Sequence, residues 1–144
     1  MAELAEKSTF LEVVHLLWNG SLPTKDEWFE YSEAIKNHTM IHEQMKSFFS
    51  GFRRGSHPMA ILTSVVAAMS AFYPDSIDVN DLEQRKISAR RMIAKVPTLA
   101  AMAYKYSIGQ PFIYPDNSLD YSENFLQMTF GVPAEKYKIN KVLS

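Results

Sequence analysis

An all-α fold is predicted by three features of the sequence. Side-chain capping signals recur along its 144 residues, apolar residues recur at helical spacings of three and four, and no alternating strand pattern runs longer than four residues. A chain of this length buries enough surface for one hydrophobic core but not for two, so we expect a single helical segment over 1–144. About seven helices are predicted, at 10–18, 24–36, 39–49, 58–73, 82–95, 98–106 and 118–130.

Capping boxes start the first two helices. Thr9 pairs with Glu12, and Thr24 pairs with Glu27, at the spacing at which a hydroxyl and a carboxylate satisfy each other's free backbone N–H groups. Gly20 then ends the first of these helices. The third helix is predicted from apolar residues at helical spacing, which are expected to face the core: Ile41, Met45, Phe48, Phe49 and Phe52.

Prolines mark the predicted boundaries in the second half of the chain. Pro58 suits the first turn of the fourth helix, where its missing N–H removes no hydrogen bond, and Pro74 ends that helix. Pro97 is expected to break or kink the chain, so that a fifth and a sixth helix lie on either side of it. After Gly109 an irregular aromatic segment follows, and Asp120 with Ser118 opens the last helix.

Two predicted helical stretches, Met59 to Tyr73 and Val96 to Tyr104, are apolar on nearly every face. A helix of this kind lies either in the interior of a domain or in an interface. Small side chains along the first stretch would let another helix approach closely: Ala60, Ser64, Ala67, Ala68 and Ala71. The two stretches therefore form either a buried central hairpin or a contact surface.

The charge balance and the absence of cysteine exclude several classes of function. Lys and Arg number 15 against 16 Asp and Glu, a net charge of -1, so there is no electrostatic reason to expect nucleic acid or an anionic membrane as a partner. Without cysteine, disulfides, thiol nucleophiles and thiolate metal sites are excluded. The N-terminus lacks the apolar run of a secretory signal, and a cytoplasmic location is expected.

Two histidines lie at a spacing that could bind a metal ion. His38 and His42 lie four residues apart with Glu43 beside them, and on a helix both imidazoles would face the same way. No third ligand is evident, so capping or packing is the preferred interpretation and no metal site is predicted. His57 is interpreted as part of a Ser-His-Pro helix start.

A basic run between 84 and 96 has two interpretations. It contains no acidic residue and places cations on two faces of a helix: Arg85, Lys86, Arg90, Arg91 and Lys95. The ordinary interpretation is a solvent-exposed flank that is balanced by the acidic residues before it: Asp75, Asp78, Asp81 and Glu83. The functional interpretation is a phosphate-binding face, because two adjacent cations can neutralise a diphosphate.

Segments along nearly the whole chain resemble bacterial citrate synthases, in order and without large gaps. They are FLEVV (10–14), HTMIHEQ (38–44), FRR (52–54), SHPM (56–59), AFY (71–73) and, above all, AMAYKYSIGQPF (101–112). The resemblance implies the large helical domain of that family. It also implies a homo-oligomer, because the helices matching Met59–Tyr73 and Ser88–Ser107 pack against their symmetry mates in the family's obligate dimer.

The resemblance further implies a parent enzyme that condenses acetyl-CoA with oxaloacetate through an aspartate and two histidines. In the family those groups lie C-terminal to the matched region, and further residues precede it. The chain is therefore expected to be a fragment without catalytic residues, inactive alone, with the rest of a citrate synthase as a further partner. The alternative is a truncated relative that acts as a non-catalytic helical oligomerisation or interaction module.

An allosteric dinucleotide site follows from the same resemblance, because some bacterial citrate synthases are inhibited by NADH away from the catalytic centre. The corresponding residues here are His38, Thr39, Tyr73, Arg91 and Lys95. His38 and Thr39 are expected at a helix start, where free N–H groups favour phosphate, and Tyr73 could stack on a base. Asn37 stands where an arginine is expected, which predicts weak NADH binding. No other cofactor is expected in this chain.

Overall fold

The structure, a computed structural model, describes residues 2–139. Seven α-helices lie in this part of the chain: α1 (Ala2–Lys7), α2 (Phe10–Asn19), α3 (Lys25–Lys36), α4 (Met45–Ser50), α5 (Pro58–Ala68), α6 (Leu82–Ser107) and α7 (Tyr121–Phe130). Single 3-10 turns follow α5 at Met69–Ala71 and precede α6 at Pro74–Ser76. No strand occurs within residues 2–139, which confirms the all-α prediction.

The long helix α6 organises the fold. α5 and α7 make the most extensive contacts with it, and α3 packs on its N-terminal half. The larger core cluster joins α4 and the segment before it, α5 and the 3-10 turn after it, and the second half of α6: Ile41, Met45, Phe49, Ile61, Val65, Met69, Leu99, Met102 and Ala103. A smaller cluster of Leu11, Ile35 and Ala94 connects α2 and α3 to the middle of α6. No helix among the described residues is long and apolar enough to cross a membrane.

The capping predictions are confirmed. Thr9 and Glu12 form a capping box at α2, as do Thr24 and Glu27 at α3, and Gly20 ends α2 with a φ of 80°. A third box joins Asp120 to Glu123 at α7, and His57 caps α5 by accepting the Met59 N–H through Nδ1 at 3.2 Å. α1 lies outside the predicted helices, since no capping signal precedes it.

The prediction that Pro97 separates two helices is wrong. α6 runs unbroken from Leu82 to Ser107 with Pro97 inside it. A proline at this position cannot donate to the carbonyl of Ile93, four residues earlier. The hydroxyl of Tyr121 on α7 donates to that carbonyl instead, at 2.8 Å. A donor from another helix therefore replaces the lost helical bond, and α6 continues.

The predicted third helix is also wrong at its start, because α4 begins at Met45 and not near Thr39. Two carbonyls of the intervening segment accept hydrogen bonds from α6 and so do not enter a helical ladder. Thr98 Oγ1 donates to the Thr39 carbonyl at 2.9 Å, and Lys95 Nζ donates to the Met40 carbonyl. Tertiary partners therefore hold this segment in a non-helical conformation.

Candidate functional site

Three of the predicted nucleotide-site residues meet between α6 and the turn that follows α5. Arg91 and Lys95 lie one turn apart on α6 and both face the ring of Tyr73. The guanidinium carbon of Arg91 is 4.3 Å from the ring centroid, and Lys95 Nζ is 5.3 Å from it. A cation that faces an aromatic ring at these distances is attracted to it electrostatically.

His38 and Thr39 join the same cluster, but not in the predicted manner. They follow the C-terminus of α3 and do not begin a helix. Their N–H groups are already used, since His38 donates to the Ile35 carbonyl at 3.0 Å and Thr39 to the Lys36 carbonyl at 3.5 Å. The carbonyl end of a helix favours cations and not phosphate.

Lys95 is the cation that lies at the C-terminal end of α3. Its side chain is buried, with 5% of the residue exposed, and Nζ donates to the His38 carbonyl at 2.7 Å and to the Met40 carbonyl. Burial lowers the pKa of Lys95 to about 8, and the positive charge of Arg91 adds to the decrease. Lys95 thus joins α6 to the segment after α3.

Arg91 is held by an acidic partner. Its two terminal nitrogens donate to the two carboxylate oxygens of Asp75 at 2.8 and 2.9 Å, and one also donates to Ser76 Oγ at 2.6 Å. The Arg91 side chain is 14% exposed and that of Asp75 62%. The hydrogen bonds from Arg91 lower the pKa of Asp75.

This pair was only partly predicted from the sequence. Asp75 appears among the acidic residues that balance the basic run, but nothing in the spacing indicates which cation it contacts. Ser76 was not predicted at all. Lys86, on another face of α6, pairs with Glu83 at 2.9 Å, so the ordinary interpretation describes part of the run correctly.

Two cavities lie along α6. One of about 260 Å³ is lined by Tyr73, Ser76 and Arg91 together with apolar residues of α5, of α6 and of the segment between them: Val66, Met69, Ile77 and Met92. The other, of about 480 Å³, lies between α2, α3 and α6, with Lys86 and Arg90 on one side and Glu27 and Glu30 on the other. Mixed charge makes the second cavity a poor phosphate site, because its carboxylates repel the ligand.

The premise that His38 and His42 share a helix face is wrong, because the segment between them is not helical. His38 Nδ1 is 2.6 Å from the Ala34 carbonyl oxygen, whereas His42 Nδ1 accepts the Gln44 N–H at 3.2 Å. The two rings thus have separate backbone partners. Among residues 2–139, no three metal-ligating side chains are arranged to hold an ion.

The helices proposed for an interface differ in exposure. α5 buries Ile61 and Val65 and exposes its opposite face, which carries mainly small residues: Ala60, Thr63, Ser64 and Ala67. The second half of α6 is mostly buried within this chain, with Ala101 only 1% exposed. α5 is therefore the helix with a free face of small residues.

Comparison with known proteins gives a consistent result. The family model described as "Citrate synthase, C-terminal domain" matches residues 1–143. The crystal structure of citrate synthase from Pyrobaculum aerophilum is similar to 90% of this chain, with 31% identity and a TM-score of 0.79. That of citrate synthase from Thermotoga maritima is similar to 98%, with 29% identity and a TM-score of 0.75.

A third similar structure is the ternary complex of citrate synthase from the thermophilic archaeon Thermoplasma acidophilum with carboxymethyl coenzyme A and oxaloacetate. It matches 90% of this chain with 25% identity and a TM-score of 0.78. The matched region makes up 34%, 34% and 33% of the three proteins in turn. This chain thus spans about a third of the length of the solved structures that it resembles.

Proposed function

The chain belongs to the citrate synthase family, and we propose that it forms part of the helical scaffold of an enzyme that condenses acetyl-CoA with oxaloacetate. The observation that carries the proposal is the family match over residues 1–143, together with 31% identity to a solved citrate synthase. The proposed chemistry needs a base, an acid and anion-binding groups that converge on one cleft. We propose that these catalytic groups lie outside the 144 residues.

The test compares this chain with a longer product. DNA on both sides of the reading frame is sequenced, any continuation into histidine- and aspartate-bearing segments is expressed with it, and CoA thiol release is measured with and without oxaloacetate. We expect oxaloacetate-dependent release from the longer product and none from the 144-residue chain. Turnover by the short chain that survives repurification would refute the assignment of catalysis to other segments. Flanking DNA without such segments would favour the alternative of a non-catalytic interaction module.

A homo-oligomer is part of this proposal. The small residues on the exposed face of α5 allow close approach of a second helix, and Met59 at its start is 58% exposed. Burial of about 800 Å² of apolar surface on each partner, at about 25 cal/mol per Å², gives roughly 20 kcal/mol for each, against association costs of about 4 to 15 kcal/mol. The exposed face of α5 is the proposed centre of the contact, and the half-exposed positions of α6 border it.

A regulatory dinucleotide site around Arg91 is a second proposal, and the convergence of Tyr73, Arg91 and Lys95 supports it. Because Lys95 is buried and donates to two carbonyls, its replacement would change the stability of the fold as well as the charge of the site. Arg91→Gln is therefore the cleaner variant. NADH fluorescence titration should show weak, salt-sensitive binding to the wild type and none to Arg91→Gln. Equal signals from both would contradict the site.

A further inference from the structure

The two terminal nitrogens of Arg91 are already engaged in hydrogen bonds. Asp75 takes both terminal nitrogens, Ser76 takes a second bond from one of them, and Tyr73 lies against the guanidinium at 4.3 Å. A bidentate arginine contact of this kind is also the geometry with which arginine binds a phosphate. The Asp75 carboxylate therefore occupies the terminal edge of the guanidinium, a position at which a phosphate would bind.

The two partners differ in how firmly they are held. Arg91 lies on a 26-residue helix with its side chain 14% exposed, whereas Asp75 lies in a three-residue 3-10 turn with its side chain 62% exposed. In the described part of the chain, Arg91 is the only ion-pair partner of Asp75. Asp75 can therefore move into solvent while α6 and the Arg91 guanidinium stay in place.

We propose that Asp75 is an internal competitor at this site, whose carboxylate must leave the terminal nitrogens of Arg91 before a diphosphate-containing anion can bind to them. This inference rests on the dinucleotide site proposed above and adds a way in which ligand binding at that site is regulated. The competition acts through charge as well as occupancy, because a carboxylate beside the site repels an incoming phosphate. The ligand class is a dinucleotide or another pyrophosphate-bearing anion.

The test compares four forms of the full 144-residue chain: wild type, Asp75→Asn, Asp78→Asn and Arg91→Gln. Asp75→Asn keeps the size of the side chain and removes its charge. Asp78→Asn is the matched control, since it removes the same charge from the same loop. Among residues 2–139, Asp78 accepts a hydrogen bond from the Asn80 N–H and forms no ion pair. Binding of NADH and of inorganic pyrophosphate is measured separately by calorimetry, and circular dichroism checks the fold of each variant.

We expect Asp75→Asn to bind both probes about three- to tenfold more tightly than the wild type, the range set by replacing one exposed, bidentate ion pair. Asp78→Asn should match the wild type, and Arg91→Gln should bind neither probe. Equal affinity of the wild type and Asp75→Asn, with binding lost in Arg91→Gln, would overturn the competition and leave the dinucleotide site standing.

Three further outcomes separate the proposals. If pyrophosphate follows the expected order but NADH binds to no form, the competition stands and the dinucleotide assignment fails. If neither probe binds to Asp75→Asn, the competition is overturned together with the site. If Asp78→Asn gains as much affinity as Asp75→Asn, the gain comes from the change in net charge, and the competition is also overturned.

Discussion

Replacement of Tyr121 by phenylalanine should destabilise the chain because Pro97 lies inside α6. The Tyr121 hydroxyl donates at 2.8 Å to the carbonyl of Ile93, whose helical donor would have been the N–H of residue 97. Burial raises the pKa of Tyr121 to about 12, so the hydroxyl keeps its proton at neutral pH. Tyr121→Phe leaves this carbonyl without a donor.

The expected loss is about 1 kcal/mol in the free energy of unfolding, because the Ile93 carbonyl is part-buried and loses its donor. In a Pro97→Ala background the new N–H can donate to Ile93, so the same Tyr121→Phe change should cost about 0.5 kcal/mol or less. Pro97→Ala should itself be neutral or stabilising, because alanine is favoured over proline inside a helix by about 3 kcal/mol.

The assay is urea denaturation followed by circular dichroism at the helical band, on the wild type, both single variants and the double variant. Tyr106→Phe is the matched control, since Tyr106 donates at 2.6 Å to the carbonyl of Phe52, which lies in a loop and has no relation to Pro97. Its cost should be the same in both backgrounds. An equal cost of Tyr121→Phe with and without Pro97 would refute the reasoning.

Two further predictions concern Lys95 and the interface. The pKa of Lys95 falls from 10.5 to about 8 in the folded chain, so at pH values between these two the unfolded state binds more protons than the folded state. Folding stability should therefore rise with pH over this window, by up to about 3 kcal/mol relative to the Lys95→Met variant. The measurement is urea denaturation of both proteins at pH 7 and at pH 10. If their free energies of unfolding differ by the same amount at both pH values, the prediction is contradicted. Ala67→Glu, on the exposed face of α5, should dissociate the oligomer in sedimentation without loss of helix, whereas Ala101→Glu should unfold the chain because Ala101 is 1% exposed. A folded dimer of Ala67→Glu would place the interface elsewhere.

The helix starts could be predicted because their signals are local. At α2 and α3, the hydroxyl and the carboxylate of each capping box lie three residues apart and satisfy N–H groups within the same turn. The same holds for the left-handed Gly20 that ends α2. These elements need no partner from elsewhere in the chain, so their sequence predicts them directly.

Three residues of the predicted dinucleotide site lie together in the structure, but their contacts could not be predicted. Tyr73, Arg91 and Lys95 do converge, as the family resemblance implies. Their partners come from other segments, however: Asp75 and Ser76 bind Arg91, and two carbonyls after α3 bind Lys95. No spacing rule connects Lys95 with the carbonyl of His38, which is 57 residues away.

The sequence alone thus determined the all-α class, the family and the helix boundaries that depend on neighbouring residues. Tertiary structure decided two of the points at which local rules failed, the unbroken passage of α6 through Pro97 and the non-helical segment after α3. In both places a backbone carbonyl accepts its hydrogen bond from a side chain on another helix, Tyr121 in the first and Lys95 or Thr98 in the second. A buried carbonyl must have a donor, but packing decides whether that donor is the next turn of its own helix or a distant side chain.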